Sequence, residues 1–164
     1  DIDEMEKMLN NYLQFAKTQS QEDTSFINLS FLFDEIKNNI NNKNLILEKL
    51  ESVILKGRMI SLKRCFENLI QNGLTYGKNV YISLQKSSSR VIIIIDDDGP
   101  GIPEDQYKNV FKPFFRLDKS RNLNQSGVGL GLAIAEDIIN SHGGNIQLGK
   151  SKYKGLQIKI SLPF

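Results

Sequence analysis

The sequence predicts an α+β fold, a two-layer sandwich in which helices cover one face of a mixed, mostly antiparallel sheet. Segments with helical apolar spacing and short strand-like segments occur in mixed order, without the regular alternation that a parallel sheet requires. The residues "KSSS" between two strand-like segments are typical of a hairpin, which pairs neighbouring strands in antiparallel fashion. A chain of 164 residues is long enough for one well-filled core.

Residues 1–20 have the apolar spacing of a coiled-coil helix. Their apolar side chains recur at intervals of three and four residues, at Ile2, Met5, Leu9, Tyr12 and Ala16. Two heptads cannot form a stable isolated helix, so we expect a partner helix. The polar residues 21–26 are predicted to be a linker, and residues 27–164 are predicted to form the globular domain.

The globular domain is predicted to begin with a short extended segment, "FINLS". Helices are expected at 31–41 and 61–76, and a third is expected to open at the glycines 127–131 and to close at His142. Ser30 and Ser61 are the candidate N-caps, because a serine side chain accepts hydrogen bonds from the first helical turn. The strands are expected at 46–50, 52–55, 80–85, 90–96, 145–148 and 156–162. A polar segment at 119–126 has no apolar periodicity and is expected to be mobile without a ligand.

Composition and charge exclude several classes of protein. The net charge is +2 and the basic residues are scattered, which gives no support to a nucleic-acid-binding stripe or a polybasic membrane surface. The single cysteine, Cys65, excludes an internal disulfide, and its apolar surroundings predict a buried small residue. No apolar segment reaches transmembrane length, and the first residues already have a helical pattern. We therefore expect a soluble, cytoplasmic fragment of a longer protein.

The segment "IIIIDDDGPG" places carboxylates and glycines where an apolar strand ends. In isolation such a pattern is most often a solvated turn. The glycines Gly99 and Gly101 would also permit the close approach of a ligand, and a carboxylate can accept a hydrogen bond from an amino group. Both interpretations stay open on these residues alone.

Two further patterns suggest sites for phosphate and for a cation. Glycines 127, 129 and 131 precede an apolar helix, whose first N–H groups could bind an anion. Their spacing is not the dinucleotide-binding G-x-G-x-x-G, no strand precedes them, and no Walker lysine follows. Asn68 and Asn72 lie one helical turn apart, and two amide oxygens suit Mg²⁺. Two surface amides in an asparagine-rich chain are the simpler interpretation of that pair alone.

The order of these features resembles a known family. The segments "NLIQNGLTY" (68–76), "DDGPG" (97–101), "FKPFFR" (111–116) and "GVGLGL" (127–132) resemble the N, G1, F and G2 boxes of sensor histidine kinases from two-component systems. The resemblance covers essentially the whole chain and is greatest to osmosensor kinases of the EnvZ type. It implies the Bergerat ATP-binding sandwich of the GHKL superfamily, with ATP and Mg²⁺ as ligands.

The resemblance also implies roles for individual residues. Asp97 would accept the adenine amino hydrogen, Asn72 would bind Mg²⁺ and Asn68 would lie beside the phosphates, so the two asparagines are the expected catalytic pair. Asp96 and Asp98 are expected to face solvent or to cap the loop. The other expected nucleotide-binding residues are Tyr76, Gly99, Gly101, Ile102, Arg116, Arg121, Gly127, Val128, Gly129, Leu130, Gly131 and Leu132.

The implied activity is transfer of the γ-phosphoryl group of ATP to a histidine of the adjacent dimerisation domain, for relay to a response regulator. Residues 1–20 would be the end of that domain's helix pair. The intact protein is expected to be a homodimeric inner-membrane sensor kinase, with this part in the cytoplasm. The only histidine, His142, matches a position that is not the acceptor, and it is expected to serve the end of its helix.

Two departures from the family pattern leave alternatives open. Gly73 and Thr75 stand where the family usually has an alanine and a basic residue, which would suit weaker nucleotide binding, or a degenerate kinase that only binds a partner. A hydrolytic ATPase of the gyrase, Hsp90 and MutL kind is the other alternative. Those enzymes need a glutamate base where this chain has Asn68, and Glu67 points about 100° away around the helix.

Overall fold

The computed structural model describes residues 2–113, 115 and 131–164. Within them the helices are α1 (Ile2–Gln21), α2 (Leu29–Ile40), α3 (Met59–Tyr76) and α4 (Gly131–Ser141). The strands are β1 (Ser25–Asn28), β2 (Leu45–Leu50), β3 (Ile54–Gly57), β4 (Val80–Lys86), β5 (Arg90–Asp97), β6 (Asn145–Lys150) and β7 (Leu156–Pro163). Two short 3₁₀ turns, Glu104–Gln106 and Asn109–Phe111, follow β5. The predicted helices and strands are therefore present in the described ranges, with small shifts at their ends.

Five strands form one sheet in the order β2-β4-β5-β7-β6. The β2–β4 pair is parallel and the other pairs are antiparallel, which confirms the predicted mixed, mostly antiparallel sheet. The hairpin predicted around "KSSS" joins β4 to β5, and the Ser87 N–H donates to the Arg90 carbonyl at 2.8 Å across its turn. The strands β1 and β3 pair separately, as an antiparallel two-stranded sheet.

The described helices cover one face of the five-stranded sheet. In β5 the alternate residues Val91, Ile93 and Ile95 are almost completely buried. Ile92 and Ile94, which lie between them, are only half-buried on the opposite face. The run of isoleucines therefore serves a strand with one fully buried face, as the predicted two-layer sandwich requires.

The helices α2, α3 and α4 supply most of the core on the covered face. The buried stripe of α3 has residues three and four apart, including Leu62, Cys65, Phe66, Leu69 and Ile70. Phe66 packs against Phe33 of α2, with ring centroids 4.8 Å apart. Cys65 lies against the Ala135 carbonyl of α4, and burial raises the pKa of its thiol. The prediction of a buried structural cysteine is confirmed.

The prediction that Ser30 and Ser61 are the N-caps of their helices was wrong. Helix α2 begins two residues earlier, where the Asn28 side chain accepts a hydrogen bond from the Phe31 N–H at 3.2 Å. Ser30 instead donates its hydroxyl to Asn28 at 2.7 Å. At the start of α3, the Glu22 carboxylate accepts from the Ser61 N–H at 3.0 Å, so a distant residue takes the capping role. No local sequence pattern could have revealed that partner.

The predicted N-terminal helix is present as α1. The Tyr12 hydroxyl donates to Oδ2 of Asp137 in α4 at 2.8 Å, and this bond connects α1 to the globular domain. Three apolar side chains of its seam, Ile2, Met5 and Leu9, are exposed, and so is the neighbouring Leu13. The partner helix expected for this seam stays a prediction. Among the described helices, none has both the length and the apolar character needed to cross a bilayer.

Candidate nucleotide-binding site

Asp97 lies at the carboxyl end of β5, where the covered face of the sheet meets the following loop. The residue is only 8% exposed. Its Oδ1 accepts hydrogen bonds from the backbone N–H groups of Gly99 at 2.9 Å and Leu156 at 3.0 Å. Burial raises the pKa of Asp97, although the same two N–H groups lower it in part. In the described part of the chain nothing donates to Oδ2, so that oxygen is the one left to accept a hydrogen bond from a ligand.

Two close contacts bring separate predicted motifs together beside this carboxylate. A Cβ placed on Gly99 would lie 2.9 Å from the Tyr76 carbonyl oxygen, so the loop after β5 packs on the end of α3. A Cβ placed on Gly131 would lie 3.2 Å from Nδ2 of Asn72, so the first residue of α4 lies against α3. Elements distant in sequence therefore converge on one end of α3.

Asn68, Asn72 and Tyr76 lie on one face of α3 at successive turns, and each is partly exposed. Gly131 begins α4 beside Asn72, and Leu132 packs against the core from a partly buried position. The first N–H groups of a helix have no partner within it, so the start of α4 offers donors to an anion beside the Asn72 amide.

The loop after β5 folds onto the turn between β6 and β7. Gly101 has a φ of +73°, a conformation that favours glycine, and a Cβ there would lie 3.6 Å from the Gly155 carbonyl. Ile102 follows it in a partly buried position. A Cβ on Gly155 would lie 2.1 Å from Oδ1 of Asp97, so no side chain fits there. Sequence reasoning missed Gly155; its position just before a predicted strand was the only signal.

The remaining predicted ligand-binding positions lie outside the described residues. They are Arg116, Arg121, Gly127, Val128, Gly129 and Leu130, and the segment 119–126 lies there as well.

The two aspartates beside Asp97 differ from each other. Asp98 caps the α3–β4 loop, because its carboxylate accepts from the N–H groups of Lys78 at 2.7 Å and Asn79 at 2.8 Å. Slight burial raises the pKa of Asp98, but the hydrogen bonds from Asn79 and Lys78 outweigh it and lower the pKa. Asp96 was predicted to face solvent or cap the loop, and the first alternative is wrong, because only 3% of the residue is exposed.

Both departures from the family pattern have a structural context. A Cβ on Gly73 would lie 2.6 Å from Cγ2 of Val80 and 3.8 Å from Oδ2 of Asp97. Glycine at position 73 therefore accommodates the valine that begins β4. Thr75 is exposed, and its hydroxyl donates to the Gln71 carbonyl at 2.9 Å. It supplies no cation for phosphate.

His142 serves the end of α4, as predicted, and also contacts the start of α3. Its Nδ1 lies 2.7 Å from the Ile138 carbonyl, and its Nε2 accepts from the Arg58 N–H at 3.0 Å. An Nδ1–H tautomer satisfies both bonds. Burial lowers the pKa of His142, as does the Arg58 charge, whereas the Ile138 carbonyl and Glu22 raise it in part.

Comparisons with known proteins agree with this geometry. A family model described as "Histidine kinase-, DNA gyrase B-, and HSP90-like ATPase" matches residues 57–164. The sensor histidine kinase GtrS of Pseudomonas aeruginosa is 34% identical over 169 residues, which cover 99% of this chain and 34% of that protein. The chain thus spans about a third of that relative, and 24% of each of the Escherichia coli proteins CpxA and RstB.

Solved structures have the same fold. The ATP-binding domain of PrrB from Mycobacterium tuberculosis has a TM-score of 0.71 and 26% identity, covering 87% of this chain and 98% of that one. The histidine kinase domain of the E. coli osmosensor EnvZ has a TM-score of 0.66 and 33% identity, covering 87% and 91%. EnvZ is no more similar in sequence than GtrS, so the comparisons do not single out the predicted EnvZ subclass. The chain belongs to the family of histidine kinase-, DNA gyrase B- and HSP90-like ATPases, as an ATP-binding domain of the kind found in sensor histidine kinases.

Proposed function

We propose that this chain binds ATP with Mg²⁺ and presents the γ-phosphoryl group to a histidine on the dimerisation helices of its own kinase. The observation that supports this most is the arrangement of Asp97. Two backbone N–H groups hold its Oδ1, and no described residue donates to Oδ2. A carboxylate held in this way suits the 6-amino group of adenine, whereas the 6-carbonyl of guanine would place two acceptors together.

The phosphates would lie toward the start of α4. The N–H groups there favour an anion, and Asn68 on the adjacent face of α3 would contact the phosphate oxygens. The Asn72 amide fits as one oxygen ligand of Mg²⁺, and the described residues hold no cluster of three or more His, Cys, Asp or Glu side chains that could bind a metal instead. Bound Mg²⁺ would neutralise charge on the phosphates. Arg116 and Arg121, which lie in sequence between the second 3₁₀ turn and α4, are proposed to pair with phosphate oxygens.

The transfer step itself needs no strong base in this chain. A nitrogen of the acceptor imidazole forms a bond to the γ-phosphorus, the bond from that phosphorus to the β–γ bridging oxygen breaks, and ADP leaves. The contribution of the chain is to orient the nucleotide and to compensate its charge. The phosphohistidine would then pass its phosphoryl group to an aspartate of a response regulator receiver domain.

The sequence disfavours the hydrolytic alternative, and the packing of Gly73 removes part of the support for the degenerate kinase. A hydrolytic ATPase would need a carboxylate in place of Asn68, and an amide cannot take a proton from water. A degenerate kinase was suggested partly by Gly73, and the close contact with Val80 gives that glycine a packing role. Thr75 still removes a cation near the phosphates, and reduced affinity is the effect we expect from it.

The properties of the whole protein are proposals as well. We place this chain on the cytoplasmic side of an inner-membrane sensor kinase that forms a homodimer, with residues 1–20 as the end of its dimerisation helices. Similarity to the sensor histidine kinases GtrS and CpxA supports this, as do the exposed apolar side chains of α1. Membership of the EnvZ subclass rests on the motif resemblance alone, because the 33% identity to EnvZ is matched by the 34% identity to GtrS.

Calorimetric titration with ATP, with Mg²⁺ and then with chelator present, tests nucleotide binding. Transfer is tested by adding a separate fragment that carries the acceptor helix and following labelled phosphate. ATP binding followed by transfer is expected. Steady hydrolysis without a histidine substrate would favour the hydrolytic alternative, and binding without transfer or hydrolysis would favour the degenerate kinase.

A further inference from the structure

The turn between β6 and β7, residues 151–155, is built on Ser151. The Ser151 N–H donates to the Gly155 carbonyl at 2.9 Å, and the Lys154 N–H donates to the Ser151 carbonyl at 3.0 Å. The Ser151 hydroxyl also accepts from the Tyr153 N–H at 3.0 Å. The side chain of Ser151 is buried in this turn, although a serine in a surface turn is normally exposed.

This turn is in direct contact with the adenine-accepting carboxylate proposed above. Leu156, the first residue after the turn, donates its N–H to Oδ1 of Asp97 at 3.0 Å. The Gly155 backbone is so close that a Cβ would lie 2.4 Å from the Asp97 carbonyl oxygen and 2.6 Å from the Gly99 nitrogen. The position of the turn therefore determines which way the plane of the Asp97 carboxylate faces.

Asp96 holds the same turn from the other face of the sheet. Because residues alternate along β5, Asp96 and Asp97 point to opposite faces. Gln157 lies opposite Asp96 in the β5–β7 register. Burial raises the pKa of Asp96, whereas hydrogen bonds from the Gln157 and Ser151 side chains lower it in part. Its Oδ1 is buried and has no hydrogen-bond partner among the described residues. A buried acceptor without a partner costs free energy, so its presence beside the site needs an explanation.

The outer side of the turn is anchored too. The ring of Tyr153 stacks on that of Tyr81, with centroids 3.7 Å apart and planes inclined by 14°. The Tyr153 hydroxyl donates to Oε2 of Glu48 at 2.8 Å. Tyr81 lies opposite Asp96 in the β4–β5 register. The Tyr81 ring and the Asp96 carboxylate therefore both hold the turn at the end of the sheet that carries Asp97.

We propose that Asp96 and Ser151 are positioning residues for purine selection: they hold the β6–β7 turn so that the Leu156 N–H occupies Oδ1 of Asp97 and Oδ2 alone faces the 6-amino group of the base. This inference rests on the proposed function, and it assigns the preference for 6-aminopurine nucleotides to a network behind the pocket. If the turn is released, the carboxylate is free to rotate and the bond to the amino group weakens. Contacts to the rest of the nucleotide do not change.

The test compares two nucleotides that differ only at this group, ATP and purine riboside triphosphate, which lacks the 6-amino group. Ser151→Ala is expected to weaken ATP binding about fivefold, which corresponds to the loss of one net hydrogen bond. Binding of purine riboside triphosphate should not change. Dissociation constants are measured by calorimetry with Mg²⁺ on the same chain. A loss that is equal for both nucleotides would mean a merely structural role, and no loss for either would also overturn the proposal.

Ser161→Ala is the matched control. Ser161 is a similarly buried serine on β7, and it hydrogen-bonds the Arg90 side chain at the opposite end of the same strand pair. This variant is expected to lose stability without changing the ratio of the two affinities. If Ser151→Ala does not fold, Gln157→Ala removes the other partner of Asp96 from a partly exposed position and should lower the ratio in the same way. If the unmodified chain does not bind ATP, the proposed function itself fails, an outcome distinct from a changed ratio.

Discussion

The carboxylate of Glu22 accepts hydrogen bonds from both the backbone N–H and the hydroxyl of Ser61, at 3.0 Å and 2.9 Å. Its other oxygen accepts from the Ile60 N–H at 2.6 Å. Together these bonds satisfy donors that the first turn of α3 would otherwise leave unpaired, and a negative charge is favourable at that end of a helix. A residue of the predicted linker is thereby attached to the helix that carries Asn68 and Asn72.

Removing this cap should destabilise the domain. Glu22→Ala is expected to lower the free energy of unfolding by about 1 kcal/mol, as for other N-cap losses. Asp23→Ala is the control, because Asp23 is an exposed carboxylate one residue further along the same linker. Urea denaturation of the three proteins measures the difference. If the two variants are equally stable, the Glu22 cap contributes nothing beyond a linker charge.

The contact between Gly73 and Val80 should make the two positions interdependent. Gly73→Ala alone is expected to destabilise the domain by about 1–3 kcal/mol, because its Cβ would collide with a valine methyl group. Val80→Ala alone leaves a small cavity. The double variant should be more stable than the sum of the single effects predicts, and a double-mutant cycle in urea measures that coupling. Additive effects would show that α3 and β4 adjust to the added Cβ without a change in the free energy of unfolding.

The structure also shows which parts of the site local sequence could predict. The alternation in β5 and the spacing along α3 are local patterns, and they correctly predicted the strand that ends at Asp97 and the shared face of Asn68 and Asn72. The bond from Leu156 to Asp97 joins residues 59 apart, and the Glu22 cap of Ser61 joins residues 39 apart. Such pairs have no signature in either segment, because each depends on where the sheet places the other.

The burial of Asp96 was missed for a related reason. Alternation along β5 correctly assigns it to the face that none of the described helices covers, where a carboxylate would normally be hydrated. Ser151 of the β6–β7 turn and Gln157 of β7, which lies opposite Asp96, take the place of water around its carboxylate. The turn follows only from the two predicted strands at 145–148 and 156–162, and nothing in its composition indicates which strand end it covers.

Asp97→Asn should remove most ATP affinity while leaving the fold intact. The amide could present a donor to the adenine amino group, so a charge-assisted hydrogen bond is lost and replaced by a mismatch. We expect a loss of about 2–4 kcal/mol in binding free energy. Asp105→Asn, an exposed aspartate in the nearby 3₁₀ turn, is the control and should bind normally. Calorimetric titration decides between them, and equal affinities would mean that the adenine pocket lies elsewhere.

His142 should contribute a pH-dependent part of the stability. Burial is the main cause that lowers the pKa of His142 in the folded state, so the unfolded chain binds this proton more readily. The contribution is fully present above about pH 6.5 and is lost as the pH falls toward the folded pKa. His142→Gln removes this titration, so the difference in unfolding free energy between the two proteins should shrink on acidification. A difference that is constant from pH 7.5 to pH 5 would contradict the assignment.

The same histidine should not accept phosphate from ATP. Its Nε2 accepts the Arg58 N–H and its Nδ1 contacts the Ile138 carbonyl, so neither ring nitrogen has a lone pair free to attack phosphorus. Incubation with labelled ATP is therefore expected to leave this chain unlabelled. An added fragment with the acceptor helix should become labelled, with weak apparent affinity because it lacks the effective concentration, in the mM range, that a covalent link provides. His142→Gln should transfer label to the fragment as the unmodified chain does; acid-labile label on His142 itself would overturn this reading of its hydrogen bonds.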